Sequence, residues 1–274
     1  HREPLDQDLT GRDILVIKDQ GLGDELFFLR FVADLSARGA RLTYRADHRI
    51  AQMIRRTGLF ERVVEVDPPN ADFDRAVSIG DLPWLLSGET ARATPPSCEI
   101  PALGARIRDM TALLRTAGPP PYVGLTWRAG TTGIRGALSK EAPIAEVTRA
   151  LGDIEGTVVV VQLEPTGDEL SSLADGLRRP PSDLSAFNVE LEDMLALMEL
   201  LDEYVAVSNT NVHLRAARGR TSRIMVPLPG EWRWMASGTA TPWFEGSTVY
   251  RETTDDGWAS AFKALERDLD HGQG

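Results

Sequence analysis

The sequence predicts an α/β protein with two parallel sheets, and three observations favour this class. Short apolar runs rich in β-branched residues alternate with longer helical patterns, which is typical of strands joined by crossover helices. Three consecutive prolines, Pro119 to Pro121, interrupt this alternation near the middle of the 274 residues, and it then restarts. Hydrophobic residues make up 42% of the chain, which is enough to cover two sheets.

The first half alternates strands and helices and then turns into a polar, proline-rich stretch. Glycines follow two of the helical patterns, as expected where a helix ends. We expect loop structure over Gly88–Pro101. The expected strands are Ile14–Ile17, Arg41–Arg45, Arg62–Val66 and Asp74–Ser78, and the expected helices are Glu25–Ala37, His48–Thr57 and Leu103–Thr116.

The second half repeats the rhythm after the prolines, which favour a stiff extended connector. We therefore predict two Rossmann-like domains, 1–118 and 119–274, facing a cleft of the kind that ligands favour. The last helix, about 257–270, is expected to pack back on the first domain. The expected strands are Tyr122–Trp127, Thr157–Gln162, Tyr204–Val207 and Arg223–Val226, and the expected helices are Pro143–Leu151, Asp168–Arg178, Leu191–Leu201, Asn211–Arg218 and Trp258–Leu269.

Composition excludes several classes of protein. The formal net charge of −11 argues against a general binder of nucleic acid or of a membrane surface. Cys98 is the only cysteine, so no disulfide framework forms and a reducing, cytoplasmic location is expected. No apolar run approaches the roughly 20 residues of a membrane span. The first residue is His1 in place of methionine, which we expect to be either a residue left by cloning or the start of a piece of a longer chain.

The most informative stretch is Asp19-Gln20-Gly21-Leu22-Gly23-Asp24, between the first strand and the first helix. Gly21 and Gly23 let the backbone turn sharply and approach a ligand closely. Asp24 follows at the mouth of the helix, at the edge where parallel strands end. Its carboxylate can cap the helix or take a proton from a substrate hydroxyl. The residues alone leave both interpretations open.

Several motifs resemble glycosyltransferase family 9, the ADP-heptose:lipopolysaccharide heptosyltransferases and their relatives. Further segments resemble a carboxy-terminal pattern of such domains that follow tetratricopeptide repeats, so repeats are expected in a longer parent chain. The first group is Asp19–Asp24, Val123–Arg128 and Ser208–Leu214, and the second is Glu231–Trp234, Pro242–Phe244 and Tyr250–Arg251.

The resemblance implies a GT-B fold and a metal-independent, inverting transfer of a sugar from a nucleotide-diphosphate donor. The donor is a substrate, and no further cofactor is implied. The acceptor is a hydroxyl group of a glycan, a lipid-linked glycan or a protein. Asp24 matches the position of the family's catalytic base.

The segment Ser208–Leu214 follows a strand and opens a helix, whose free amides form an anion site. Thr210 and Asn211 can add donors to phosphate oxygens, and His213 can contact phosphate or orient the loop. Asn209 stands where the family usually has aspartate, and Arg215 where a small residue is common. In the alternative interpretation these polar residues merely cap a short helix.

Three further residues are candidates for donor binding, and Trp127 belongs to the same loop as the first of them. Arg128, next to Trp127 at a strand end, can pair with diphosphate in a forked geometry, and Lys140 lies beyond the glycine segment 130–133. The alternatives are an interdomain salt bridge for Arg128 and a solvated loop position for Lys140. Gln162 is expected near the nucleoside, unless it is an ordinary strand-end glutamine.

Other functions stay open at this stage. A degenerate GT-B module would bind a sugar nucleotide or a partner protein without turnover. A sugar-nucleotide epimerase is possible because fold does not fix the reaction. An NAD-dependent oxidoreductase is disfavoured because the glycine loop lacks a third glycine and carries Asp24. The aromatic block Trp232, Trp234, Trp243 and Phe244 is expected to pack more than to stack on ligands.

Overall fold

A computed structural model describes residues 3–69, 72–87, 94–129, 138 and 140–270. The chain divides into two compact units. Unit 1 comprises His1–Ala102 and Ala217–Gly219, and unit 2 comprises Leu103–Ala216 and Arg220–Gly274. In the described residues no helix has both the length and the apolar character needed to cross a membrane.

Unit 1 is built on a four-stranded parallel sheet in the order β3-β2-β1-β4. Its strands are rich in β-branched and apolar residues, and Val16 at the centre of β1 is fully buried. The predicted helix 25–37 is instead two helices separated by a 3-10 turn at Leu29–Phe31. The strands are β1 (Asp13–Ile17), β2 (Arg41–Arg45), β3 (Arg62–Val64) and β4 (Arg75–Ser78), and the helices are α1 (Leu22–Phe28), α2 (Val32–Ala37), α3 (Ala51–Thr57) and α4 (Leu82–Leu85).

Unit 2 contains a six-stranded parallel sheet in the order β12-β11-β10-β5-β8-β9 and a short antiparallel pair, β6 with β7. The strand β12 was not among the predicted strands. The helices are α5 (Gly104–Ala117), α6 (Ile144–Ala150), α7 (Gly167–Gly176), α8 (Leu191–Leu200), α9 (Thr210–Ala217) and α10 (Ala259–Asp270). The strands are β5 (Tyr122–Thr126), β6 (Arg128–Ala129), β7 (Lys140–Glu141), β8 (Thr157–Val160), β9 (Ser182–Asp183), β10 (Glu203–Val207), β11 (Arg223–Val226) and β12 (Thr248–Arg251).

Two helices lie in a different unit from the one expected. Helix α5 packs against α8 and belongs to unit 2, so the division falls before this helix and not after it at 118. The sequence analysis expected helix α10 to pack on the first domain. It packs instead within unit 2, against α6 and β12. Its buried residues Phe262 and Leu265 join the core formed by β5, β8 and β10, which fixes it there.

Gly124 in β5 provides a test of how tightly unit 2 packs. A Cβ atom at this position would lie 2.5 Å from Leu201 Cδ1 and 2.9 Å from Tyr204 Cδ2. We expect Gly124→Ala to lower the free energy of unfolding by about 1–3 kcal/mol, because the core must shift to accommodate a methyl group. Denaturant unfolding followed by circular dichroism measures the change.

The matched control is Gly167→Ala at the start of α7, where the added Cβ meets no atom within 4 Å. This variant should be as stable as the original chain or slightly more stable, since alanine favours helix. Equal destabilisation of the two variants would show that crowding at β5 is not the cause.

Candidate functional site

The loop after β1 in unit 1 carries Asp24 in the first turn of α1. Gly21 occupies the N-cap position, so Asp24 is not itself the N-cap residue. Asp24 is the third helical residue and is half-buried. Its Oδ2 lies 3.9 Å from the place where a Cβ on Gly21 would stand, so the carboxylate folds back over the glycine turn. A carboxylate there also complements the positive end of the helix.

The same loop is anchored at its beginning. Ser78, the last residue of β4, donates its hydroxyl to Asp19 Oδ2 at 3.1 Å. Gln20 adopts a left-handed conformation with φ of 57°, which is uncommon for a residue with a side chain. Asp19 therefore has a structural contact, and the backbone of the loop is held in a sparsely populated conformation.

Sequence reasoning missed Glu25, the residue after Asp24. It is 2% exposed, and its Oε1 accepts hydrogen bonds from the Tyr44 hydroxyl at 2.7 Å and the Asp47 N–H at 3.0 Å. Burial raises the pKa of Glu25. The signal in the sequence was an acidic residue directly before the apolar run Leu26–Leu29 of a helix, at a position that had to face the sheet.

In unit 2, Asn209 caps helix α9 at the carboxyl end of β10. Its Oδ1 accepts the N–H groups of Asn211 at 2.7 Å and Val212 at 3.2 Å. Its Nδ2 donates to the Val207 carbonyl at 2.9 Å and to Tyr204 Oη at 3.1 Å. An aspartate would supply the cap but not these donors, so asparagine at this position has a structural reason and leaves the helix start uncharged.

The three candidate phosphate ligands that follow Asn209 differ in how accessible they are. Thr210 begins α9 and is half-buried. Asn211 is buried, and its Nδ2 donates to Asn188 Oδ1 at 3.1 Å. His213 is also buried, with Nε2 at 3.3 Å from Arg233 Nη1 and its ring centroid 5.4 Å from that of Phe244. Thr210 is therefore the most accessible of the three, while His213 orients the helix against the aromatic block.

Arg128 forms an ion pair, as the alternative interpretation expected, but its partner lies within unit 2. Its Nε and Nη2 donate to the two carboxylate oxygens of Glu169 at 2.8 and 2.9 Å, a forked geometry. Trp127 is buried and donates its indole N–H to the same carboxylate at 2.9 Å. The Arg128 guanidinium, together with the Thr166 and Trp127 donors, lowers the pKa of Glu169 to about 2.

Gln162 joins the ends of β5 and β8. It is 1% exposed, and its Oε1 accepts the backbone N–H groups of Trp127 at 3.1 Å and Arg128 at 3.0 Å. Its Nε2 donates to the Leu163 carbonyl at 3.0 Å. These contacts match the strand-end interpretation, and they fix the backbone from which Arg128 projects.

Lys140 is paired and is not a solvated loop lysine. Its Nζ lies 2.9 Å from Glu231 Oε1, and its side chain is 28% exposed. Burial raises the pKa of Glu231, but the Ser208 hydrogen bond and Lys140 outweigh burial, so the net pKa is lowered. These three residues line one small pocket whose other walls are mainly apolar, with Met225, Val226, Pro227, Pro229 and Trp234 among them. The segment 130–133 that precedes Lys140 lies outside the described residues.

The aromatic block divides between packing and exposure. Trp234 is buried and stacks on Phe244 with ring centroids 4.8 Å apart, as the packing interpretation predicts. Trp232 is 55% exposed and meets Trp243 edge-on at 5.6 Å. In the described part of the chain, no group of three or more His, Cys, Asp or Glu side chains is arranged to hold a metal ion.

Arg215 also departs from the family pattern for a visible reason. Its buried guanidinium donates to the carbonyls of Met198, Leu201 and Asp202, where α8 ends and β10 begins, and its Nε donates to the Thr221 carbonyl. Burial lowers the pKa of Arg215 to about 10. The side chain thus ties α9 to the backbone below it.

The chain is similar in sequence to one curated protein and similar in fold to several solved structures. The chain is 27% identical over 270 residues to protein FlbA of Caulobacter vibrioides, a match covering 87% of this chain and 43% of that protein. It therefore spans less than half the length of this curated relative. No protein-family model matches the chain.

Two solved structures are similar along almost the whole chain. One is a glycosyl transferase family 9 protein from Veillonella parvula, with a TM-score of 0.66, 10% identity, and coverage of 99% of this chain and 98% of that one. The other is the ADP-heptose lps heptosyltransferase II of E. coli, with a TM-score of 0.68, 13% identity, and coverage of 95% and 98%. The chain has the GT-B fold. The predicted α/β class and the resemblance of its fold to family 9 are thereby confirmed.

The Asn209 cap predicts a measurable contribution to the stability of this GT-B chain. We expect Asn209→Ala to lower the free energy of unfolding by about 1 kcal/mol, because two helical N–H groups lose their acceptor. Asn209→Asp keeps the acceptor, so its free energy of unfolding should lie between those of the alanine variant and the original chain. Thermal and denaturant unfolding measure the order, and an alanine variant as stable as the original would contradict the capping role.

The Arg128–Glu169 pair predicts a dependence of stability on pH. Since the pKa of Glu169 is lowered from 4.5 to about 2, its ionised form stabilises the fold above about pH 5 and loses this effect as the pH falls towards 2. At pH 7 the free energy of unfolding of the original chain should be about 1–2 kcal/mol higher than that of Glu169→Gln, with solvent screening taken into account. Unfolding at several pH values tests this, and a difference independent of pH would contradict it.

Proposed function

We propose that this chain is a glycosyltransferase that moves a sugar from a nucleotide-diphosphate donor to a hydroxyl acceptor. One observation carries the proposal: helix α9 opens at the carboxyl end of β10 behind an uncharged Asn209 cap. Ligands of open parallel sheets bind at this edge. The positive end of a helix favours phosphate, and the Asn209 cap adds no negative charge there.

Two neighbouring groups support donor binding by unit 2. Thr210 supplies a hydroxyl and a backbone N–H in the first turn of α9. Lys140 reaches Glu231, which also contacts Ser208 at the end of β10, so an ammonium group lies beside the pocket. The proposal assigns diphosphate to Thr210 at the positive end of α9, with Lys140 as the neutralising cation. Asn211, His213, Trp127 and Gln162 hold the surrounding backbone in place.

Asp24 is proposed as the general base. A carboxylate removes the proton from the acceptor hydroxyl as its oxygen attacks the anomeric carbon, and the bond from that carbon to the diphosphate breaks on the opposite side. This single displacement inverts the configuration at the anomeric carbon. Positioned bases of this kind contribute roughly 10²–10⁴-fold to a rate. The anchored loop and half-buried position of Asp24 support this role.

We also propose that the leaving diphosphate is stabilised by amides and cations without a metal ion. Preorganised N–H groups and a lysine supply the positive field that the developing charge needs. The E. coli structural neighbour acts on ADP-heptose by its printed description. For this chain we propose only that the donor is a nucleotide-activated sugar, without naming the sugar. We propose the same activity for any longer protein of which this chain is a part.

A second candidate is a GT-B module that binds a sugar nucleotide or a partner protein without turnover. The observation that favours it is that both candidate cations are paired with carboxylates, Arg128 with Glu169 in a two-point contact and Lys140 with Glu231. The two candidates differ in catalysis and share donor binding, so one experiment separates them.

We expect Asp24→Asn to lower kcat for sugar transfer by about 10²–10⁴-fold while leaving the donor Kd within about twofold, because the base acts in the chemical step. Calorimetry with nucleoside diphosphates and sugar nucleotides gives Kd, and release of the nucleoside diphosphate gives kcat. Addition of EDTA should leave kcat unchanged. Asp34→Asn, which changes a carboxylate of α2 outside the loop, is the matched control.

The outcomes assign the function. Donor binding without measurable turnover in the original chain would support the binding module. Absence of binding across adenosine, uridine, guanosine and thymidine diphosphates and their sugars would overturn both candidates. An active Asp24→Asn variant would remove Asp24 from the mechanism while leaving transferase activity in place.

A further inference from the structure

The loop that carries Asp24 is held at both ends by one residue of unit 1, Asp47. The Asp47 backbone N–H donates to Glu25, which directly follows Asp24, at 3.0 Å. The Asp47 carboxylate accepts a hydrogen bond from Lys18, which directly precedes the loop, at 2.8 Å. Residues 19–24 therefore form a span whose two flanking side chains meet on the same residue.

Neighbouring contacts hold each member of this arrangement. The Tyr44 hydroxyl donates to the same Glu25 oxygen at 2.7 Å, and the Tyr44 ring stacks on Phe60 with centroids 4.7 Å apart. Arg49 donates its backbone N–H and its Nε to Asp47 Oδ1 at 3.0 and 2.9 Å. Glu25 and Asp47 are both buried, so these bonds are shielded from competing water.

We propose that Glu25 and Asp47 are positioning residues that fix Asp24 for catalysis. The inference rests on the proposed role of Asp24 and adds to it the two side chains that set its place. Glu25 ties the first turn of α1 to β2, and Asp47 ties the beginning of the same loop to the same point. Asp24 lies between these ties, in the first turn of α1, whose N-cap is Gly21.

The physical argument is the precision that proton transfer requires. A displacement of about 1 Å in a catalytic group can cost about 10²-fold in rate. Hydrogen bonds to a buried carboxylate are stronger and more directional than those between neutral groups. Glu25 and Lys18 contact the same residue from the two ends of the loop, so both ends of the segment that carries Asp24 are fixed relative to Asp47.

The experiment compares Glu25→Ala with Glu25→Gln in the full chain, at a temperature well below both melting points. Alanine removes the acceptor, and kcat should fall by about 10–100-fold while the donor Kd stays within twofold. Glutamine keeps an oxygen for Tyr44 and Asp47 and should restore kcat to within about fivefold of the original. Glu65→Gln, which changes an exposed carboxylate paired with Arg55, is the matched control and should match the original chain.

Tyr44→Phe provides a second test that does not depend on the fold of the alanine variant. It removes one hydrogen bond to Glu25, keeps the ring stacked on Phe60, and should lower kcat about 3–10-fold with unchanged donor Kd. A merely structural role would change the melting temperature without separating kcat from Kd at low temperature.

The results separate this inference from the proposed function. If Asp24→Asn is inactive while Glu25→Ala and Tyr44→Phe keep the original kcat, the positioning role is overturned and the base stands. If Glu25→Ala does not fold, Tyr44→Phe alone decides in the same way. If Asp24→Asn is fully active, the assignment of the base fails whatever the other variants show.

Discussion

The covering of both faces of a parallel sheet is the constraint on which the candidate site depends. Strands buried on both sides leave no open face for a ligand, so polar chemistry must gather in the loops at the strand ends. Both units follow this rule, each within its own sheet. In unit 1 the relevant residues lie at or after the ends of β1, β2 and β4, and they are Lys18, Asp47 and Ser78. In unit 2 they lie after the ends of β5, β8, β10 and β11, and they are Arg128, Gln162, Ser208 and Glu231.

Carboxylates accompany the cations at these edges. Lys18 contacts Asp47, Arg128 contacts Glu169, and Lys140 contacts Glu231. Each pair is partly shielded from water, so leaving one member alone would cost more than the pair gains. In the proposed function, a diphosphate bound by unit 2 must therefore rely on Thr210 and the positive end of α9, or draw Lys140 from its partner. The uncharged Asn209 cap suits the first route, because it leaves the field at the start of α9 positive.

The periodicity of the sequence predicted most strands and the order of helices, because alternation and apolar spacing are local properties. Periodicity could not predict interactions between residues that are far apart in the sequence. Arg128 and Glu169 are 41 positions apart, and the link from Glu25 to Asp47 needs the pairing of β1 with β2. The placement of α5 likewise depends on its contact with α8, whereas three prolines gave a local signal for a boundary after it. The sequence placed Arg128 and Gln162 near the ends of strands, as the structure does, but it did not predict the residues that they contact.

Departures from a family pattern are often taken as signs of lost activity, and here the contacts favour a different explanation. Asn209 gives two helical amides their acceptor and supplies donors to Val207 and Tyr204. Arg215 faces the carbonyls where α8 meets β10. Both changes thus serve the backbone beneath α9, and neither alters the half-buried Thr210 at the start of this helix. In the proposed function turnover depends instead on the loop of unit 1 that carries Asp24, where Lys18, Asp19 and Glu25 are held by hydrogen bonds to Asp47, Ser78 and Tyr44.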